Sequence, residues 1–407
     1  MQTSTNNDIH DKVCWGVLLV NTGTPQEPTL QAIRPYLDRF LSDRRIVNLP
    51  PWLWKPILRG LVLPLRSRKL VDVYRSIWTE EGSPYTLAMR TIESQLRVTC
   101  ERKSRADLHI AVAHRYGLPS IAQCLTDFQR RGITALCVLP LYPQQAFATT
   151  FSVNDEVQRA LAVLDFCPST VLIEDYYQDK GYIQALSTQI ATALQPETVP
   201  GAQTRRVVHN SYSSLQPKTT SDTQPDTQAL PATGASAPIV PGRHVLFSYH
   251  SIPLKDLRNG DRYRAQVETT TRLLVERLGL PSERWSLVYQ SRFENGQRWL
   301  GPFLLPRLKA LLSDGWRDFA VVTPGFAVDC AETLHSIQHS IRADLLSAAN
   351  RHGIAADQIR FRYLPALGAT ELHISLLWDL ITRFTGEAGQ ADGRSTPDGT
   401  AITTASG

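Results

Sequence analysis

Short apolar runs rich in β-branched residues alternate along this chain with longer amphipathic stretches, a pattern that predicts βαβ units and a mainly parallel sheet. In the first half the strand-like runs are Trp15–Asn21, Leu108–His114, Thr134–Leu141 and Thr170–Tyr176. In the second half they are His244–Tyr249, Trp285–Gln290, Asp318–Thr323 and Gln358–Leu364. Helical patterns lie between them, among them Tyr263–Leu278, which follows a Gly260-Asp261 start signal, and Asp329–Ala348. The expected fold is α/β, with two Rossmann-like, doubly wound parallel-sheet domains over residues 13–194 and 244–364. A C-terminal helix at 365–384 follows. The order of the strands cannot be read from the sequence.

A different kind of sequence separates the halves. Gln195 to Arg243 holds seven prolines and one aromatic residue, Tyr212, among many Ser, Thr and Gln. It buries too little apolar surface to offset its ordering entropy, so residues 195–243 read as a disordered insertion. The tail at 385–407 reads the same way.

Composition narrows the class. Hydrophobic residues make up 42% and charged residues 20%, as in ordinary globular proteins. No long uncharged apolar run predicts a membrane-spanning helix. Met1 to Lys12 lacks the apolar segment of a secretory signal, so a cytoplasmic protein is expected. The six cysteines contain no C-x-x-C pair and read as reduced thiols. None lies beyond Cys330, which excludes a cysteine-held iron–sulfur cluster near the C-terminus.

The net charge of +5 is unevenly placed: Arg34 to Arg75 carries ten basic residues against three acids, Asp38, Asp43 and Asp72. Such a patch suits an anionic ligand or membrane surface. Without a recognisable binding motif it does not point to nucleic acid.

Ligands of open parallel sheets bind beyond the carboxyl ends of the strands. Six strand exits here carry polar clusters: Asn21-Thr22-Gly23-Thr24-Pro25, Arg115-Tyr116-Gly117, Pro140-Leu141-Tyr142-Pro143-Gln144, Ser248-Tyr249-His250-Ser251-Ile252-Pro253, Gln290-Ser291-Arg292-Phe293, and Thr323-Pro324-Gly325-Phe326 before Asp329 and Glu332. Together they imply one shared cleft. No G-x-G-x-x-G follows a strand, and there is no Walker lysine loop and no G-x-S-x-G elbow. Nucleotide chemistry and acyl transfer lose ground accordingly. His250 can ligate a divalent metal or accept a proton near neutral pH; a core histidine satisfied by its neighbours is the blander alternative. Glu332 stands near a helix start, where a carboxylate is also favourable for the helix dipole alone. Facing each other, the two would leave a metal mostly open, as a transfer site requires and a structural zinc site does not.

These clusters, with Gly260-Asp261-Arg262-Tyr263, Trp299-Leu300-Gly301-Pro302 and Asp329-Cys330-Ala331-Glu332-Thr333-Leu334, resemble the signature of the ferrochelatases. The similarity runs from about Trp15 to Leu380, omits the insertion, and is to the proteobacterial branch. The resemblance implies an enzyme that inserts Fe²⁺ into protoporphyrin IX and releases haem and two protons, with iron as substrate and no permanently bound cofactor. It implies His250 and Glu332 as the metal-binding and proton-handling pair. Arg115 and Tyr116 would line the opposite side, with Trp299, Phe326, Asp329 and Tyr142 close to the ring. Arg45 is the expected propionate partner. Residues 50–64 would form a hydrophobic lip in peripheral contact with the inner face of a membrane, the alternative being a buried core helix. Coproporphyrin remains an alternative substrate. Cobalt or nickel insertion into a related tetrapyrrole, and a carrier without catalysis, are the other readings. The Arg115, Gln290-Ser291-Arg292 and Trp299 motifs disfavour the first, and retention of His250 with Glu332 disfavours the second.

Four positions depart from the family pattern. Ser251 follows the histidine in place of a commoner glycine. Ser336 stands where a second carboxylate is frequent, with His335 and His339 beside it; this leaves the metal's delivery route open between substitution by these histidines and a merely solvated histidine face. Gly368 replaces a usual Asn, which predicts a looser attachment of the C-terminal helix. His114 stands where an apolar residue is frequent and reads as packing.

Overall fold

The computed structural model describes residues 13–195, 242–291 and 297–386. The expected disorder of the insertion and tail, and Arg292 and Phe293 of the strand-exit motif, lie outside these residues. Eight strands form two parallel sheets: β1 (Trp15–Asn21), β2 (Leu108–His114), β3 (Ala135–Pro140), β4 (Ser169–Leu172), β5 (Arg243–His250), β6 (Trp285–Gln290), β7 (Asp318–Val322) and β8 (Arg360–Leu364). The first sheet has the order β2-β1-β3-β4 and the second repeats it as β6-β5-β7-β8. Both faces of each sheet are covered, which is why β1 and β5 read as continuous apolar runs rather than alternating ones.

Several expected boundaries move by one or two residues, and three shifts bear on the architecture. Strand β4 ends at Leu172, four residues early, because the chain then leaves the sheet through Ile173 to Tyr176. The helix expected over Asp329–Ala348 begins at Glu332, and its first ten residues wind as a π-helix before Arg342–Arg351 continues it as α-helix. Arg243 belongs to β5, not to the insertion. It is buried, and its guanidinium pairs with Asp318 at the start of β7 at 2.9 Å.

One core joins the two lobes. Val17 and Leu19 of β1 belong to the same apolar cluster as Val245 and Phe247 of β5, linked through helices Pro84–Arg102, Lys180–Leu194, Tyr263–Leu278 and Glu371–Phe384. The opposite faces of the sheets have their own cores, under Ile121–Arg130 and Ser152–Leu164 in the first lobe and under Leu304–Ser313 and Arg342–Arg351 in the second. Helix Ile121–Arg130 sits so close to β1 that a Cβ on Gly16 would fall 2.7 Å from Phe128 Cδ2, so only glycine fits there.

Buried hydrogen bonds also cross between the lobes. The backbone N–H groups of Gln145 and Phe147 donate to Gln266 Oε1 and Asp261 Oδ2, each at 2.7 Å. The Gln144 amide donates to Thr270 Oγ1 at 3.0 Å, and the Tyr182 hydroxyl to the Pro324 carbonyl at 2.6 Å. Gly368, expected to loosen the C-terminal helix, takes part in holding it. It sits at φ 57°, a left-handed conformation that suits glycine; its N–H donates to the Ala327 carbonyl at 2.8 Å and its own carbonyl holds His373 Nδ1.

His114, His244 and His373 are buried, and each titrates at about 4. Burial is the main cause in all three, aided by Arg90 beside His114 and by Arg307 and Arg284 beside His244. An unfolded chain binds these protons at a pKa of about 6.5. The three therefore contribute stability that is complete above that value and is lost as the pH falls toward 4. Imidazole NMR titration is expected to give three midpoints near pH 4, with urea stability declining between pH 6.5 and 4. Midpoints near 6.5 would contradict this.

Candidate active site

The strand ends of both sheets open onto one cavity of about 550 Å³, within the range of roughly 300–1,000 Å³ usual for small-molecule sites. From the first lobe it is lined by Asn21 to Thr24 at the end of β1, by Tyr142 beyond β3, and by Tyr36, Tyr74, Tyr85 and Tyr116. From the second lobe come His250 at the end of β5, Trp299, and the segment from Gly325 to Glu332 beyond β7. Since β5 and β7 are hydrogen-bonded neighbours, His250 and Glu332 emerge from adjacent strand ends into the same space.

His250 Nδ1 lies 2.7 Å from the Ser251 carbonyl. A carbonyl only accepts, so Nδ1 carries the proton and Nε2 of the neutral ring presents a lone pair. The turn beneath it is held by Ser251, whose N–H donates to the Gln290 carbonyl at 2.8 Å and whose hydroxyl donates to the Leu300 carbonyl at 2.7 Å. The hydroxyl that replaces the commoner glycine thus ties the histidine turn to the Trp299-Leu300 segment. Glu332 is exposed on the cavity side, and its Oε2 accepts from the Cys330 thiol at 3.0 Å. Burial first, and then the Glu332 charge, hold that thiol well above its ordinary range. Cys330 therefore meets the carboxylate as a neutral donor.

The tyrosines of the first lobe's wall are polar and uncharged, and they stand with the cations Arg45, Arg66 and Lys69. Burial pushes the hydroxyls of Tyr36, Tyr74, Tyr85, Tyr116 and Tyr142 above their usual titration range. Two of them are locked to the backbone turn at Gly23, whose N–H donates to Tyr85 at 2.9 Å and whose carbonyl accepts from Tyr36 at 3.1 Å. Gly23 has φ 96°, and a Cβ there would fall 2.8 Å from the Gly117 nitrogen, so the ends of β1 and β2 meet at a contact that only glycine permits.

Eight of the nine residues singled out from the sequence line this cavity: His250, Glu332, Tyr116, Tyr142, Trp299, Phe326, Asp329 and Arg45. Arg115 does not. Its side chain turns behind the wall, where Nη2 donates to Asp43 Oδ2 and Nε to Ser152 Oγ, at 2.7 and 2.8 Å. Tyr116 offers the cavity its ring while its hydroxyl donates to Asp43 at 2.7 Å. Asp329 is buried and held by neighbouring hydroxyls: Oδ1 accepts from Tyr363 at 2.6 Å and Thr333 at 2.9 Å. Arg45 is engaged by Asp155 at 2.7 Å, with its guanidinium over Phe147 and Phe151. His114 is buried against the Tyr85 hydroxyl, which is 3.3 Å from its Nδ1, and does not line the cavity.

The sequence reading missed Asp43, which organises Arg115, Tyr116, Ser152 and the Arg45 N–H. It also missed the Tyr36, Tyr74 and Tyr85 wall. Cys330 could have been found from its place inside the Asp329–Glu332 motif.

Two like α/β lobes that face each other across a cavity holding one imidazole and one carboxylate define a site suited to passing a metal ion to an organic ligand, the class of the chelatases. The comparisons specify the kind. The ferrochelatase family model matches residues 15–225 and 226–384. The chain is 38% identical over 352 residues to a ferrochelatase of Azoarcus sp. (strain BH72), covering 86% of this chain and 82% of that protein. It is 35% identical over 366 residues to a ferrochelatase of Yersinia enterocolitica, covering 90% of this chain and 96% of that protein. Among solved structures, SirB from Bacillus subtilis with Fe³⁺ aligns with a TM-score of 0.46 and 9% identity over 92% of this chain and 99% of that chain. The chain belongs to the ferrochelatase family.

Asp43 has a side chain only 6% exposed, and Arg115 beside it is 16% exposed. Replacing Asp43 with Ala takes the nearer carboxylate from a largely buried guanidinium and leaves it only Glu156, at 3.7 Å, and a loss of about 3 kcal/mol is expected. Urea denaturation measures it; a loss below about 0.5 kcal/mol, the size of an ordinary surface substitution, would contradict the assignment.

Proposed function

We propose that this chain inserts Fe²⁺ into protoporphyrin IX to form haem, with iron as a substrate and no resident cofactor. The observation that carries the reading is the convergence of His250 and Glu332 on one cavity in a chain of the ferrochelatase family. A free-base porphyrin holds two pyrrole N–H protons at its centre. Two N–H bonds must break and two protons leave before the ring can bind iron through all four nitrogens. The Trp299 and Phe326 rings provide surfaces for the macrocycle. The Nε2 lone pair of His250 accepts a pyrrole proton. The Glu332 carboxylate takes a proton or holds the cation, and the Cys330 thiol fixes its orientation.

The propionates call for cations. Arg45 stands at the cavity edge but already has a carboxylate partner in Asp155. Arg66 and Lys69 on helix Leu63–Ile77 also line the cavity, and they share this role with Arg45 in our reading.

The lip is the membrane-facing element. Pro51–Ile57 and Leu63–Ile77 are helical, joined by a π-helical turn, and Leu58 and Leu63 are buried beneath them. Trp52 is 78% exposed, and Leu61 and Leu65 are each 58% exposed, next to the exposed bases Lys55, Arg59 and Arg68. The buried-helix alternative fails on these exposures. No helix among the described residues is long and apolar enough to cross a membrane, and the mixed apolar and basic surface suits peripheral contact with anionic lipid. Trp54 is not part of that surface, since its indole N–H donates to the Leu41 carbonyl at 2.7 Å.

Anaerobic Fe²⁺ insertion, followed by absorbance with protoporphyrin and coproporphyrin in parallel, tests the activity. His250→Ala is expected to lower turnover roughly a hundredfold or more, the usual weight of a positioned proton acceptor. Turnover at the wild-type rate would remove His250 from the mechanism, and preference for coproporphyrin would reassign the substrate. For the lip, wild type is expected to partition onto anionic vesicles and Trp52→Ser/Leu61→Ser to partition less; equal partitioning would exclude it.

A further inference from the structure

Asp256 is a charged side chain of the cavity with no part in the proposed reaction. It reaches the cavity from helix Leu254–Arg258, which follows directly on the His250 turn. That helix is fixed where it stands. The Leu254 N–H donates to the Arg298 carbonyl at 2.9 Å, Pro253 pairs with Trp299, and the Asp256 carbonyl accepts from the Asp261 N–H at 3.0 Å. The Asp256 side chain is half-buried. Burial first, and then the Asp261 charge, push its carboxyl above the usual range, with Lys255 opposing. None of the cavity cations Arg45, Arg66 and Lys69 is among the charges that act on it.

Charge in the cavity is sorted by side. Arg66 and Lys69 come from helix Leu63–Ile77, which meets the helix beyond β7 where Ser76 and His335 lie 2.8 Å apart. Asp256 stands on the other flank of the histidine. The Arg298-Trp299 segment that holds its helix leads to Phe303, which pairs with Tyr289 of β6. Because β5 lies between β6 and β7, cations approach His250 from one side and a carboxylate from the other. Arg45, in the first lobe, already has Asp155.

We propose that Asp256 sets the substrate specificity of the cavity by excluding carboxylates from its side. The inference rests on the porphyrin reading above and deepens it. Protoporphyrin carries two propionates on neighbouring pyrroles, at one edge of the ring, and uncharged vinyl groups on the other two. With its propionates toward Arg66 and Lys69, it turns an uncharged edge to Asp256. Coproporphyrin carries a propionate on every pyrrole, so no edge of it is free of negative charge. Whichever way it enters, a carboxylate meets Asp256 in a space screened from bulk water, where like charges repel far more than in solution. Rejection by a placed repulsive group is a general route to discrimination between ligands of similar shape.

Fluorescence titration of the full chain with protoporphyrin and with coproporphyrin, in the absence of iron, tests it. The wild type is expected to hold protoporphyrin the more tightly. Asp256→Asn is expected to narrow the ratio of the two dissociation constants roughly tenfold, chiefly through tighter coproporphyrin binding. Asp256→Glu, which keeps the charge, is expected to keep the wild-type ratio. Partial loss of folded protein lowers both signals and leaves the ratio readable. A ratio in Asp256→Asn equal to that of the wild type would overturn the proposal, as would a wild-type preference for coproporphyrin. Absent iron insertion alongside the expected change of ratio would count against the proposed reaction and leave the role of Asp256 standing.

Discussion

The cavity exists because two sheets that cannot reach each other are joined by helices they share. Val17 and Leu19 of one sheet and Val245 and Phe247 of the other lie in a single apolar cluster. Burial of that surface drives the association, but apolar packing alone would allow the lobes to slide. The buried seam fixes them. The N–H groups of Gln145 and Phe147 have their acceptors on the opposite lobe, at Gln266 and Asp261, and any displacement would leave buried donors unpaired. The Gln144–Thr270 and Tyr182–Pro324 bonds add the same constraint nearer the strand ends. Geometry at the cavity is thus inherited from a seam whose members, apart from Gln144, do not themselves line it.

Much of the fold was legible because parallel strands buried on both faces produce uninterrupted apolar runs. β1, β2 and β6 begin and end where the sequence places them. The misplaced ends have a common cause: a strand's last residues look alike whether or not a neighbour pairs with them. Ile173 remains apolar and buried beyond the last paired residue, with its N–H still on the Val138 carbonyl of β3 at 2.9 Å. Strand order was not legible, since it depends on which edge each helix crosses. The shift of the Asp329–Ala348 helix start to Glu332 has a local explanation. Asp329 spends its carboxylate on Tyr363 and on Thr333, four residues along, and so holds the segment before the helix instead of opening it.

The site was legible where a residue's chemistry is unusual for its surroundings. A histidine that closes an apolar strand and a glutamate beyond the neighbouring strand stand out, and the structure places both on the cavity. Arg115 stood out equally and turns away, because the carboxylate that captures it, Asp43, is 72 residues distant in sequence. Asp43 itself was one of three acids in a strongly basic stretch and gave no local sign of its role. The tyrosine wall was hidden for a related reason: Tyr36, Tyr74 and Tyr85 lie on three different helices. The carbonyl and N–H of Gly23 that Tyr36 and Tyr85 share come into place only when β1 is closed against β2.

The two lobes repeat one topology but line the cavity with opposite kinds of group. One side sets phenols that stay neutral throughout the physiological range beside the cations Arg45, Arg66 and Lys69; the other holds the imidazole and the carboxylate. A thin aromatic guest between them would meet two unlike surfaces, one carrying proton acceptors and one carrying phenols and cations. Its own faces, equivalent in free solution, would become distinguishable as soon as it was bound. An architecture that is nearly symmetric in backbone is therefore polar in its chemistry, and that polarity gives a symmetric guest a direction of approach.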